Sequence, residues 1–64
     1  MPYNRAKGTY NGHKVILGTS PKDVDKLMGL RNDTVYMPMH AFRSRSQAFI
    51  RECTLRNIEV RILP

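Results

Sequence analysis

The dipeptide Asn11-Gly12, set between two runs of strand-forming residues, constrains the fold of this chain more than any other feature. Both central residues of a type I′ turn need a positive φ, which Asn and Gly adopt at the least cost. The sequence therefore predicts a hairpin that pairs residues 5–10 with residues 13–17. Gly8 interrupts the first of these strands and predicts a bulge or a frayed end there.

The hairpin leads into a pattern of strand, turn and helix. Residues 15–17 form an uninterrupted apolar run, which is typical of a central strand covered on both faces. Ser20 and Pro21 suit the N-cap and the first position of a helix, and Asp23 follows at the spacing of a capping box. We expect Gly29 to end this helix.

The second half of the chain repeats the alternation of strand and helix. Residues 34–39 predict a strand that is ended or bent by Pro38. A second helix is expected from about residue 44 or 46 to Arg56, with Phe49 among its inward-facing residues. Residues 58–63 alternate between apolar and charged side chains, which indicates a strand with one covered face and one wet face.

Taken in order, these elements predict one small α/β domain over residues 1–64, with the layout ββαβαβ. Its mixed sheet has three to four strands, includes the N-terminal Asn-Gly hairpin and carries two helices. Helices that cover only one face would leave Glu59 and Arg61 on the open face. A chain of 64 residues buries a small core, and its single cysteine allows no internal disulfide. Self-association into a homo-oligomer, or docking on a larger partner, would supply further burial.

The charge of the chain favours acidic partners. Eleven Lys and Arg against five Asp and Glu give a formal net charge of +6, which points to nucleic acid (RNA or DNA) first and to an acidic protein surface second. All four lysines lie in the first 26 residues, whereas every basic residue after Leu30 is an arginine. Arginine suits bidentate contact with phosphate. The alternative is that this charge only keeps a small domain soluble.

Two helix starts, each following a predicted strand, are rich in residue types that bind anions. Helix N-termini carry free N–H donors and partial positive charge, so phosphate is a natural ligand there. If the preceding strands are parallel, both starts lie at the same edge of the sheet. The predicted phosphate-binding residues are Gly18, Thr19, Ser20 and Lys22 at the first start, and His40, Arg43, Ser44, Arg45 and Ser46 at the second. The alternatives are simple capping at the first start and a solvated loop at the second.

No arrangement of residues predicts catalysis, a metal site or a cofactor. Cys53 falls on the apolar face of the second helix, which suggests a core residue and not a nucleophile. The five acids are scattered, and no pair has a spacing expected of a general acid and base. Walker and dinucleotide motifs are absent from the sequence. We therefore expect a binding protein and not an enzyme.

The sequence favours a location in the cytoplasm. No run approaches the roughly 18 apolar residues of a membrane span, and the first residues lack the apolar core of a signal peptide. A single thiol suits a reducing compartment. We therefore expect a cytoplasmic module that contacts the phosphates of RNA or DNA and that does not bind a membrane. Tyr10 and Tyr36 would be placed to stack a base, although packing is the simpler role for Tyr36. The first alternative is an accessory or inhibitory protein, of a kind that viruses encode, which binds a larger protein. The second alternative is a small-nucleotide binder.

Overall fold

The structure, a computed structural model, describes residues 3–18 and 20–64. In that part of the chain, five short strands and three helices follow one another. They are β1 (Tyr3–Asn4), β2 (Thr9–Tyr10), β3 (His13–Val15), α1 (Pro21–Asp25), β4 (Thr34–Met37), α2 (Met39–Arg43), α3 (Gln47–Leu55) and β5 (Glu59–Ile62).

The strands form one mixed sheet in the order β1-β2-β3-β4-β5. β1, β2 and β3 are antiparallel neighbours, whereas β3, β4 and β5 run parallel. The first parallel crossover contains α1, and the second contains α2 and α3. Both crossovers step in the same direction across the sheet, so right-handed connections place the helices on one face.

The core lies between that face and the helices. Its buried cluster draws on residues in or beside the strands (Ile16, Val35, Met37 and Ile58) and on residues of the helical layer (Leu27, Ala41, Phe49 and Cys53). Phe49 is fully buried. Since a core of this size has few members, the loss of one large side chain removes a considerable fraction of the burial that stabilises the fold.

The opposite face of the sheet carries charged residues, as the alternation in the last strand predicts. Tyr36 of β4 lies in register with Arg61 of β5, and Thr34 lies in register with Glu59. Side chains alternate along a strand, so these four residues lie on the face away from buried Val35. The expectation that Glu59 and Arg61 occupy the open face is confirmed.

The hairpin at Asn11-Gly12 is confirmed in position but is shorter than predicted. Tyr10 and His13 are cross-strand partners, and both turn residues have positive φ (52° for Asn11 and 80° for Gly12). Residues 5–8 are a turn and not part of a strand. The φ of Gly8, 65°, takes this residue out of extended backbone directly before β2.

The small α/β fold with a mixed sheet is confirmed, but the predicted layout ββαβαβ is wrong in its counts. The sheet has five strands where three to four were expected, and three helices replace the expected two, which gives the order βββαβααβ within the described residues. The additional strand β1 exists through pairing of Tyr3 with Tyr10. The additional helix α2 begins after Pro38, whose φ of −64° suits a helix start, and buries Ala41. A single turn with one buried residue leaves no apolar periodicity in the sequence.

The first predicted helix is shorter than expected, because α1 ends at Asp25, with Lys26 as its C-cap, and does not reach Gly29.

The second predicted helix is confirmed as α3. Ser46 is its N-cap and Arg56 its C-cap. Phe49 and Cys53 are buried on its inner face, whereas Ile50 is exposed. Asn57, with a φ of 54°, then turns the chain into the last strand.

Candidate nucleic-acid interface

The start of α1 is occupied by a side chain of the protein itself. Asp23 Oδ2 accepts hydrogen bonds from the Ser20 backbone N–H at 3.2 Å and from the Ser20 hydroxyl at 2.7 Å. A Cβ placed on Gly18 would lie 2.8 Å from the same oxygen, so the carboxylate covers the glycine as well. Lys22 is exposed in the first turn, and Thr19 lies outside the described residues. The Asp23 carboxylate therefore occupies the position where the sequence predicts a bound phosphate.

Asp23 is held in its charged form. The hydrogen bond from the Ser20 hydroxyl is the main cause that lowers the pKa of this carboxyl, and Lys26, whose Nζ lies 3.3 Å from Oδ1, lowers it further. The carboxylate already neutralises the positive end of a helix of only five residues. These contacts favour the capping interpretation of this start over phosphate binding.

The two serines at the corner between α2 and α3 hold the backbone in place. Ser44 Oγ donates a hydrogen bond to the His40 carbonyl oxygen at 2.9 Å, where α2 ends. Ser46 Oγ accepts one from the Phe49 N–H at 3.2 Å, where α3 begins. These hydroxyls are therefore used in shaping the corner itself.

The cations of this corner have unequal surroundings. His40 and Arg43 are exposed on α2. The Arg45 guanidinium lies 4.0 Å above the centroid of the Phe42 ring, which is the geometry of a cation–π contact. Arg45 also lines an apolar groove of about 240 Å³ beside Val60. Arg43 is thus exposed to ligands in solution, while Arg45 is already engaged by an aromatic ring.

Only the first predicted helix start directly follows its strand, because α2 separates β4 from the start of α3 at Ser46. His40 and Arg43 therefore lie within α2 and not on the predicted loop. β3 and β4 are parallel, so the residues directly after each strand emerge at the same end of the sheet. Ligand crevices of α/β sheets form where neighbouring connections leave in opposite directions. Here both connections leave in the same direction. The topology therefore forms no such crevice between the two starts.

A different surface gathers cations that lie far apart in the sequence. A groove of about 370 Å³ lies between the β1–β2 turn, β3 and the end of α1. We call it the basic groove; its lining residues are Arg5, Ala6, Lys7, Gly8, Lys14, Val15 and Lys26. Four of these carry positive charge, and no carboxylate is among the described residues that line it.

The sheet register explains how Lys14 and Lys26 come together. Lys14 is the Cα partner of Val35, whose side chain is buried under the helices. Residues in register share a face, so Lys14 emerges on the helical side of the sheet. Lys26 is the C-cap of α1, which covers the same side. A strand and a helix end thus contribute one cation each.

The β1–β2 turn contributes the other two cations. The backbone N–H of Lys7 donates to Asn4 Oδ1 at 3.1 Å, which closes the turn. The Gly8 carbonyl accepts from the Val15 N–H at 2.9 Å, which ties the turn to β3. Arg5 and Lys7 are therefore held at the rim of the groove by backbone contacts and not by their own charged ends.

The charges of the basic groove are largely uncompensated. Lys26 pairs with Asp23 at 3.3 Å, whereas no ion pair of Arg5, Lys7 or Lys14 occurs between residues that the structure describes. A concave surface with one sign of charge concentrates its field and attracts polyanions. Sequence reasoning missed this site because it weighted the arginines of the second half. The confinement of the lysines to the first 26 residues was the signal that pointed to it.

The aromatic residues of the open face pack against one another. Tyr36 is only 8% exposed, and its ring centroid lies 4.7 Å from that of Tyr10 and 6.1 Å from that of His13. A base would need an uncovered ring face to stack on. The structure therefore supports the packing role of Tyr36.

His13 and Asp33 form a contact that sequence spacing does not predict. His13 Nδ1 lies 3.1 Å from Asp33 Oδ1, and the same oxygen accepts the Thr34 N–H at 2.7 Å. The Thr34 hydrogen bond, followed by the one with His13, lowers the pKa of Asp33. Both side chains are more than a third exposed. The pair ties the hairpin to the start of β4.

Cys53 is buried, and burial raises the pKa of its thiol, so it is not activated as a nucleophile.

Among the described residues, no three His, Cys, Asp or Glu side chains are grouped to hold a metal ion, and no helix has the length and apolarity needed to cross a membrane. Comparisons with known protein families, with curated proteins and with solved structures found no match to this chain.

Proposed function

We propose that this chain binds the phosphate backbone of RNA or DNA through the basic groove. The observation that supports this function is the convergence of Arg5, Lys7, Lys14 and Lys26 on one concave surface that has no lining carboxylate among the described residues. Lysine and arginine contacts to phosphate release counterions from the polymer and supply most of the affinity of sequence-independent binding. The excess of positive charge over the whole chain acts in the same direction.

The chemistry of the groove favours a polymer backbone over a free nucleotide. Its described lining contains cations, small residues and Val15, but no aromatic ring on which a base would stack. Phosphate contacts position a nucleic acid without reading its sequence. We therefore expect little sequence specificity. The buried thiol of Cys53 suits a reducing compartment, so we place this activity in the cytoplasm.

The corner between α2 and α3 is the competing location for the same activity. Arg43 and Arg45 belong to the site predicted from the sequence, and Arg43 is exposed there. We place the principal contacts in the basic groove because Arg45 is engaged by Phe42 and the serines are engaged by the backbone.

The test compares two double variants that remove the same charge. Lys7→Ala/Lys14→Ala changes the basic groove, and Arg43→Ala/Arg45→Ala is the matched change at the corner. Fluorescence anisotropy with labelled single-stranded RNA, single-stranded DNA and duplex DNA is measured over a salt series. We expect the groove variant to weaken binding and to reduce the slope of log K against log salt by about 1.4 for single strands or about 1.8 for duplex.

The corner variant should change the affinity and the slope much less. A larger loss in the corner variant would return the site to the residues predicted from the sequence. Equal losses would mean that net charge, and no particular surface, attracts the polymer. Wild-type binding that vanishes near physiological salt would contradict the proposed function. Competition by a mononucleotide at low concentration would assign the groove to a small ligand instead.

A further inference from the structure

β5 lies at the end of the sheet, with one side of its backbone unpaired among the described residues. On the inner side, the Leu63 N–H donates to the Met37 carbonyl of β4 at 2.8 Å, and the Glu59 N–H donates to the carbonyl of Asp33, just before β4, at 2.9 Å. Alternate backbone groups of a strand point to opposite sides. The N–H and C=O groups of Val60 and Ile62 therefore face outward, where another strand can pair with them.

The side chains of β5 make this edge complementary to itself. Glu59 and Arg61 lie on either side of Val60, both exposed on the open face of the sheet, and within one copy Arg61 Nη2 lies 3.2 Å from Glu59 Oε2. This exposed pair can exchange partners with the same pair of a second copy. In an antiparallel pair of β5 strands with its two-fold axis at Val60, Glu59 of each copy lies opposite Arg61 of the other. A register centred on Arg61 would set two arginines against each other. Opposite charges across a strand pair stabilise it and like charges destabilise it, so charge selects the first register.

We propose that two copies of this chain associate through β5, in an antiparallel pair centred on Val60, to form a two-fold dimer with one continuous sheet. Val60 of each copy exchanges both backbone hydrogen bonds with Val60 of the other. The Ile62 N–H donates to the Ile58 carbonyl of the second copy. The Ile58 N–H is not required, since it already donates to the Cys53 carbonyl at 2.9 Å.

A second copy fits this edge better than an unrelated strand for two reasons. In an antiparallel pair, Glu59 and Arg61 of one β5 strand each lie opposite the oppositely charged residue of a second β5 strand. An unrelated strand would carry this charge pattern only by coincidence. Ile62 is 38% exposed, and pairing would cover part of its side chain. The pairing is isologous and closes as a dimer. Within the part of the chain that the structure describes, the other edge strand, β1, has two residues and therefore offers a much shorter ladder for further growth.

The test is a charge exchange read by sedimentation equilibrium over a concentration series at low salt, without nucleic acid. Arg61→Glu places two acids on each β5, and Glu59→Arg places two arginines there. Each variant alone should raise the dimer Kd by about tenfold or more, because both complementary pairs become like-charged pairs. An equimolar mixture of the two variants should associate again, and so should the double variant Glu59→Arg/Arg61→Glu.

Arg31→Glu is the matched control, because it makes the same charge change at an exposed arginine outside β5. It should leave the dimer Kd unchanged. A wild-type chain that remains monomeric up to about 1 mM overturns the proposal. So does a dimer that is indifferent to Arg61→Glu, or a mixture that stays monomeric. Since Lys7→Ala/Lys14→Ala leaves β5 intact, failure of nucleic-acid binding and failure of dimerisation can be distinguished.

Discussion

Substitution of Gly18 by alanine tests whether the Asp23 carboxylate caps α1 as the structure describes. The new Cβ would lie 2.8 Å from Asp23 Oδ2, which is too close for both groups to keep their places. Gly18 is not among the described residues with positive φ, so alanine meets no backbone strain there. The carboxylate must move instead, and it then loses its hydrogen bonds from Ser20.

The magnitude follows from two opposing effects. Gly18→Ala lowers the conformational entropy of the unfolded chain, which stabilises a compatible site by about 0.4–1 kcal/mol. Loss of a capping interaction costs about 0.5–2 kcal/mol, typically about 1. In an Asp23→Ala background the capping interaction is already absent, so Gly18→Ala has no capping interaction to break. Only the entropic effect then remains, and Gly18→Ala should stabilise the fold. We therefore expect a coupling free energy of about 1 kcal/mol between the two positions.

The assay is urea unfolding followed by far-ultraviolet circular dichroism on the wild-type chain, the two single variants and the double variant. Asp25→Ala provides the matched control cycle, because Asp25 is an exposed acid on the same helix, and this cycle should be additive. Additivity of Gly18 and Asp23 within about 0.3 kcal/mol would refute the capping geometry.

The same coupling should depend on pH. The pKa of Asp23 is lowered in the folded chain, so the carboxylate contributes stability above the ordinary aspartate pKa of about 4. That contribution is lost as the pH falls through the lower pKa of the folded state. Repetition of the cycle in acid should therefore reduce the coupling free energy.

Two further predictions concern the core. Phe49→Ala should lower the free energy of unfolding by about 3–5 kcal/mol. A domain of this length has a total stability of roughly 3–10 kcal/mol, so circular dichroism should show the variant largely unfolded. The control, Met28→Ala, changes a side chain that is 70% exposed and should change the free energy of unfolding by less than about 0.5 kcal/mol. Burial raises the pKa of the Cys53 thiol, so this thiol should react slowly with a disulfide reagent near pH 8 until urea unfolds the chain. Rapid labelling of the native protein would contradict the position of Cys53 in the core.

The elements that could be predicted are those with a signal inside a few neighbouring residues. Asn11-Gly12 determines its own turn, Ser46 caps the helix that follows it, and the alternation from Glu59 to Ile62 reports a half-covered strand. β1 could not be predicted, because two residues become a strand only by pairing with β2. The same is true of α2, which is a single turn with little apolar pattern.

The candidate site was harder to predict for the same reason. The capping-box spacing of Ser20 and Asp23 was visible in the sequence, but only the structure shows the carboxylate covering Gly18. The basic groove depends on which strands are neighbours. Lys14 and Lys26 meet because the register of β3 against β4 sends Lys14 to the helical side. No local spacing contains that information.

The change from antiparallel to parallel pairing at β3 separates strands joined by a short turn from strands joined by long crossovers. The pair of β2 and β3 closes across a two-residue turn, and hairpins of this kind form within microseconds. β4 and β5 join only after whole crossovers have closed, with the entropy of a longer loop to overcome. The N-terminal hairpin thus closes a much shorter loop than either pair of parallel strands, so its entropic cost of closure is the lowest of the connections in the sheet.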